Sequence, residues 1–391
     1  MTDEHLIGNQ VLEYIADLLD IPPSHYELAI KRYKSLGEWL HRPESCVAEY
    51  DPEVFAQGSF RYGTVIRPLL GGEEYDLDLV SQLALSKECV SQARLKELVG
   101  VEIKGYASAH NMNEPAHEGN RCWRLDYADD VSFHMDILPA VPDDDAFKHT
   151  LVTLGIPWDY ARHAIAVTDR RHPGYEQIQP DWLRSNPRGY AGWFEGRMAD
   201  VASQRVERLV QAGMYASVDD VPVFAWKTPL QRSIQVLKRH RDVMFRNARS
   251  LRPISMIITT LSAHAYQGEP NLWDALMGIL DRMPGFVRDQ APRVPNPVNP
   301  AEDFADKWAE DQRLEDSFWQ WHAQARVDLR RIVMAHTANQ LEQAMQAAYS
   351  IKPDSEFLRG IFPADRLPAK PAIVSAPAVI KAPPRPWGIG D

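Results

Sequence analysis

Read for the alternation of apolar and polar positions, the chain changes texture three times. Between residues 21 and 42, Tyr26, Ala29, Ile30, Tyr33, Leu36 and Leu40 recur at the spacing of one helix face, and Ser24 with Glu27 reads as a capping box, which together predict an amphipathic helix. From about Val54 to Ala140 the apolar runs are short, often alternate, and are separated by Gly, Asp and Asn, the pattern of strands. The clearest hairpin joins 121–128 to 131–138 through Asp129-Asp130. From about Ala199 to Gln346 helical periods dominate, interrupted by the proline-rich stretch from Pro292 to Pro300. Beyond Ile361 seven prolines and few large apolar residues predict a tail. No repeat of fixed period occurs, which removes solenoids and propellers. The expected fold class is α+β: a sheet-bearing lobe with an N-terminal helix at 1–200, a helical lobe at 201–350 and a Pro-rich flexible tail at 351–391.

Composition narrows the function classes. With 391 residues, 45% hydrophobic and 25% charged, the chain is an ordinary globular protein and long enough for two cores. Forty-three basic against fifty-four acidic residues give a net charge of −11, which opposes broad adhesion to nucleic acid or anionic membrane. Cys46, Cys89 and Cys122 lie far apart without a C-x-x-C pair, so neither a disulfide framework nor a cysteine zinc site is indicated. The acidic start lacks the basic and apolar regions of a signal peptide, and no run approaches the ~18 apolar residues of a membrane span, so a cytoplasmic protein is expected. Charge is uneven: between Val221 and Arg252 eight basic residues stand against Asp242 alone. Each member reads singly as part of a solvated helix face, and the cluster as a candidate contact for triphosphate or RNA.

One constellation carries chemistry. In Glu74-Tyr75-Asp76-Leu77-Asp78-Leu79-Val80, strict alternation puts Tyr75, Leu77 and Leu79 on one face and Asp76 and Asp78 on the other, ~6.5–7 Å apart along the strand. The same alternation in Val131 to Leu138 sends Val131, Phe133, Met135 and Ile137 inward and leaves Ser132, His134 and Asp136 opposite. Upstream, Gly58 permits close backbone approach and Ser59 offers a hydroxyl and an amide to a phosphate. A Gly-Ser turn, then D-x-D on a strand, then a lone Asp on a later strand is the layout of a nucleotidyltransferase site. Hard carboxylate oxygens are what magnesium accepts, and three carboxylates offset most of the charge of two ions. His134 is read as a strand histidine, since magnesium prefers oxygen, and an ordinary ion pair with Arg124 is the structural alternative for Asp136.

Longer motifs surround these residues: Q-G-S-F-x-Y-x-T at 57–64, E-Y-D-L-D-L at 74–79, F-H-M-D-I-L-P-A at 133–140, S-N-P-R-G-Y-x-x-W-F at 185–194, K-T-P-L-Q-R-S-I-Q-V-L-K-R-H-R-D at 227–242, P-I-S-M-I-I-T-T-L at 253–261 and N-P-V-N-P-A-E-D-F-A-D-K-W at 296–308. In these the chain resembles the cGAS/DncV-like nucleotidyltransferases, bacterial enzymes that make cyclic di- or trinucleotide signals in anti-phage defence. The resemblance implies a polymerase-β-like mixed sheet, an α-helical lobe resembling the oligoadenylate synthase C-terminal domain, and a nucleotide site in the cleft between them. It implies catalysis and metal binding by Asp76, Asp78 and Asp136, with Gly58 and Ser59 on the triphosphate, Gln57 on bound nucleotide, Tyr62 stacked on a base, and Lys238 and Ser255 on donor phosphates.

The expected activity is therefore magnesium-dependent synthesis of a cyclic di- or trinucleotide from ATP and other ribonucleoside triphosphates, with two Mg2+ ions for which Mn2+ substitutes. No duplex nucleic acid activator is expected, because the zinc-bound insertion of the animal DNA sensor is missing and no broad basic face replaces it. Accessory proteins acting on the C-terminal tail are the expected regulators. The alternatives are a template-independent RNA 3′-nucleotidyltransferase, and a catalytically silent scaffold on the same fold.

Overall fold

A computed structural model of the chain describes residues 3–69, 74–127, 133–204 and 226–363. Two helices open it, α1 (Asp3–Leu19) and α2 (Pro23–His41), followed by β1 (Glu53–Ala56), the one-turn α3 (Gly58–Arg61), β2 (Tyr75–Gln82) and α4 (Gln92–Ala109). The strands β3 (His117–Glu118), β4 (Trp123–Tyr127) and β5 (Phe133–Pro142) come next, then α5 (Asp145–Thr153), α6 (Trp158–Ala161), β6 (Ile165–Val167), β7 (Leu183–Ser185) and α7 (Pro187–Gly196). The rest is mainly helical: α8 (Pro229–Met244), α9 (Ser255–Ala265), α10 (Leu272–Arg282), the small hairpin β8 (Pro295–Asn296) and β9 (Asn299–Asp303), α11 (Gln312–Val333), α12 (Ala338–Tyr349) and α13 (Ser355–Ile361).

The sheet runs β1-β2-β5-β4-β3, with β6 on β5 and β7 on β6. Among the described residues only β2 and β5 pair in parallel, and their register sets Asp76 opposite His134 and Asp78 opposite Asp136. The alternation seen in the sequence holds: Leu77, Leu79, Phe133, Met135 and Ile137 are buried under α2 and α4, with Leu36, Leu95, Val99 and Ile103 facing them. β4 and β5 form the expected antiparallel pair, Tyr127 opposite Phe133, while the turn at Asp129-Asp130 lies outside the described residues.

Several expectations are corrected. Ser24 and Glu27 make no capping box: the helix starts at Pro23 with Pro22 as its cap residue and no side-chain capping bond. Proline suits the first helical position, where its missing N–H would find no partner anyway, so the start moves ahead of Ser24. The boundary drawn at residue 200 leaves α1 with the sheet, yet Val11, Leu12, Ile15, Ala16 and Leu19 are buried in the same core as α8 to α12, as are Tyr190 and Phe194 of α7. Residues 351–363 are not tail: α13 docks through buried Leu358, and Phe357 stacks on Tyr14 of α1 with ring centroids 3.9 Å apart. The proline-rich remainder from 364 lies outside the described residues.

The basic stretch on α8 is not a solvated face. Lys227, Lys238, Arg239 and Arg241 are buried, whereas Arg246, Arg249 and Arg252 are exposed as expected. Their partners explain the burial. Gln231, Gln235, Lys238 and Arg239 recur at helical spacing and donate to the backbone carbonyls of Tyr62 (2.9 Å), Val65 (2.7 Å), Thr64 (2.9 Å) and Arg67 (2.5 Å). This ladder fixes the segment that follows Gly58 and Ser59 against the helical lobe. Thr228 and Gln231 cap the helix reciprocally, so Gln231 serves both its own helix start and the ladder.

On the other side of the sheet's core, α4 crosses β4 at Gly100. A Cβ there would lie 2.2 Å from Cζ2 of Trp123, whose indole N–H donates to the Lys96 carbonyl at 2.9 Å and so cannot easily retreat. Overpacking of this kind costs about 1–3 kcal/mol, against the roughly 0.8–1 kcal/mol that alanine gains over glycine in a helix. Gly100→Ala is accordingly expected to lower the denaturant midpoint despite its better helix propensity; an unchanged or raised midpoint would show that Trp123 moves freely.

Candidate functional site

Three neighbouring strands place their polar residues on one face in two cross-strand rows. The first row reads Arg124, Asp136, Asp78 across β4, β5 and β2; the second reads Asp126, His134, Asp76. Sequence alternation alone put Asp76, Asp78 and Asp136 on polar faces, and parallel pairing in this register brings the three carboxylates together. Asp78 lies deeper than Asp76. Loss of water, followed by the like charges of Asp76 and Asp136, pushes the Asp78 carboxyl up to about 7. Asp76 is also raised, chiefly by desolvation, with His134 pulling the other way and Asp136 adding to the rise.

The protein supplies its own cations to this face. Arg124 grips Asp136 with both arms, Nε to Oδ1 at 2.7 Å and Nη2 to Oδ2 at 2.8 Å, so the ion pair anticipated as the structural alternative is formed. His134 is held between two carboxylates, Nε2 to Glu74 at 2.6 Å and Nδ1 to Asp126 at 2.5 Å. Glu74, Asp126 and His134 also converge closely enough to ligate a metal ion. Sequence reading passed over Glu74 and Asp126, although both occupy the same alternate positions as the acids it singled out. Lys238, fully buried on α8, is lowered to about 7, first by burial and then by Arg241, with Asp242, Asp78 and Asp76 drawing it back up.

Gln57 and Gly58 sit where β1 runs into α3. The Gln57 N–H donates to the Asp78 carbonyl at 2.8 Å, and Gly58 adopts φ +66 with its Cα so close to Asp78 that a Cβ would meet Oδ2 at 2.3 Å. Only glycine satisfies both the left-handed backbone and this approach. Ser59 follows at the first turn of α3, and its carbonyl accepts from Thr64 N–H at 2.9 Å. Tyr62 does not present its ring to the cleft. It is 6% exposed and lies against Tyr190 and Phe194, so stacking on a base would require the ring to leave this packing. Ser255 opens α9 and its hydroxyl accepts from Arg241 at 2.9 Å, which ties it to the helix that carries Lys238.

The donor set and its surroundings fit divalent cations: hard oxygens from three carboxylates, a floor cleared by Gly58, and an ionisation cost at Asp78 that a bound cation would relieve. Residues 52–139, which hold the triad and the Gly58-Ser59 turn but neither Lys238 nor Ser255, match the family described as cyclic GMP-AMP synthase DncV-like, nucleotidyltransferase domain. Over 90% of its length the chain is 26% identical to a c-di-GMP synthase of Roseivirga ehrenbergii, covering 83% of that protein. It is 25% identical to the cyclic dinucleotide synthase CdnG of Bradyrhizobium diazoefficiens, over 90% of this chain and 79% of the other. The solved structure of the Bradyrhizobium diazoefficiens CD-NTase CdnG in complex with GTP shares the fold, with a TM-score of 0.64 at 20% identity, covering 91% of this chain and 98% of that one. The mixed sheet with its helical lobe is thus the polymerase-β-like arrangement anticipated from the sequence. Among the described residues no helix is long and apolar enough to cross a membrane.

Asp78 makes the site legible in a melting curve. Its carboxyl, near 3.8 in the unfolded chain and about 7 in the fold, keeps a proton across that window that the unfolded chain releases. Its contribution to stability is full below about pH 4 and is lost as pH rises through about 7. Without divalent cations, Asp78→Asn is expected to raise the melting temperature more at pH 8 than at pH 5; an equal shift at both would show that the carboxyl ionises freely.

Proposed function

We propose that this chain, a nucleotidyltransferase of the cGAS/DncV-like (CD-NTase) kind, joins ribonucleoside triphosphates into a cyclic dinucleotide and releases pyrophosphate at each bond. The observation that carries this reading is the register that sets Asp78 opposite Asp136 with Asp76 beside them, beneath the Gly58-Ser59 turn. The two curated relatives, one named a c-di-GMP synthase and the other a cyclic dinucleotide synthase, support two nucleotides over three, and the first supports GTP as a substrate.

Asp76, Asp78 and Asp136 would hold two magnesium ions, with manganese substituting, and the bound ions supply charge neutralisation at the α-phosphate and a lowered pKa for the attacking hydroxyl. Asp136 takes the proton of the ribose hydroxyl at one Oδ, more readily once Arg124 frees that oxygen. The hydroxyl oxygen bonds to the α-phosphorus, the bond to the bridging oxygen breaks, and pyrophosphate leaves. A second round closes the ring. Gly58 and Ser59 receive the triphosphate, Gln57 contacts the nucleotide, and Lys238 and Ser255 hold donor phosphates at the helical wall. Lys238 already stands in the field of Asp76 and Asp78, which supports its placement. The family resemblance supports a cytoplasmic role in anti-phage signalling, with accessory proteins acting on the C-terminal segment.

Incubation with labelled triphosphates and Mg2+ or Mn2+, followed by phosphatase, is expected to leave a small resistant product. Asp76→Asn with Asp78→Asn should cut its formation by roughly a thousandfold or more while the protein stays folded. A growing linear polymer would favour RNA 3′-end addition instead, and near wild-type turnover by the double variant would remove the enzyme assignment.

A further inference from the structure

We propose that Arg124 is a positioning residue that occupies Asp136 in the cation-free enzyme and competes with a divalent cation for its oxygens, thereby setting the cation concentration at which the site fills. The inference rests on the reading above in one respect, that the triad holds divalent cations.

Asp136 stands in the middle of a row. On one side, directly opposite across the antiparallel pair, is Arg124; on the other, directly opposite across the parallel pair, is Asp78. A cation shared by Asp136 and Asp78 needs carboxylate oxygen from both, and the arginine fork already draws on a lone pair of each oxygen of Asp136, at 2.7 and 2.8 Å, so fork and cation compete for its charge. The guanidinium also lies in the field of Asp76 and Asp126, so it neutralises part of the whole acidic face. A single delocalised charge offsets these carboxylates incompletely, and a divalent ion offsets them better, which gives the exchange its direction. The Arg124 side chain is 42% exposed and that of Asp136 25%, so the arm has solvent to swing into. The pair also bears on turnover: while the fork is closed, each oxygen of Asp136 already accepts one charge-assisted bond and is a weaker base for a ribose proton, and opening it couples base strength to cation loading.

The test is direct Mn2+ binding to the full chain without nucleotide, read as the free-ion signal in electron paramagnetic resonance. Arg124→Gln is expected to tighten Mn2+ binding about tenfold or more, since one charge-assisted pair no longer competes. Arg124→Lys should fall between, because an ammonium bonds one oxygen and leaves the other. In an Asp136→Asn background most of the gain from Arg124→Gln should disappear, which separates release of this pair from a general change in charge. Circular dichroism checks folding, and where Arg124→Gln fails to fold, Arg124→Lys decides. Unchanged or weaker Mn2+ binding by folded variants, a gain that persists in full without Asp136, or no Mn2+ binding by any variant overturns the proposal. Cyclic product with no Arg124 effect on Mn2+ binding defeats this inference alone; the predicted Arg124 effect without cyclic product defeats the assignment of the reaction alone.

Discussion

Like charge held in register is the constraint around which this molecule is arranged. Parallel pairing of β2 and β5 fixes Asp78 opposite Asp136 and leaves neither strand free to slide, because a slip of one residue would turn Leu77, Leu79, Phe133, Met135 and Ile137 out of the core. Burial of that apolar face therefore holds carboxylates together against their repulsion. The cost is partly offset by groups set at matching positions, the Arg124 guanidinium in one row and the His134 ring in the other, with Lys238 approaching from the helical lobe. A face so balanced still favours an incoming divalent cation, which offsets the remaining carboxylate charge better than one guanidinium does.

What the sequence made legible follows from the range of the interaction involved. The facing of Asp76, Asp78, Asp136 and His134 depends on a two-residue period within one strand, and a sequence displays that directly. The Arg124 pair was visible for the same reason, since a hairpin sets its own register. Whether charges on α8 meet water or protein is a different kind of fact. Lys238 and Arg239 are buried because the 62–67 segment, some 170 positions away, presents carbonyls to them. Only the spacing of Gln231, Gln235, Lys238 and Arg239 on a single face hinted at it. Tyr62 was misplaced for the same reason: nothing near it in the chain announces Tyr190 and Phe194. The lobe boundary failed because α1, although first in the chain, finds its apolar partners among the last helices.

Buried cations on α8 would ordinarily be a liability, since each loses its hydration. Here they are neighbours of acceptors that also need satisfaction, the carbonyls of an irregular segment with no strand partner. The two deficits offset each other, and a loop without regular structure gains side-chain donors where a strand would have backbone ones. That attachment matters because the segment follows the turn where Gly58 meets Asp78, so the floor of the cleft is tied through it to the helical lobe.

Every rung of that ladder ends on a main-chain oxygen. The helix consequently holds the path of residues 62–67 through their backbone, and no rung depends on which side chains they carry, while Tyr62 and Ile66 add their own packing to the same core. Substitution on the helix side carries no such tolerance, because each donor is a particular side chain.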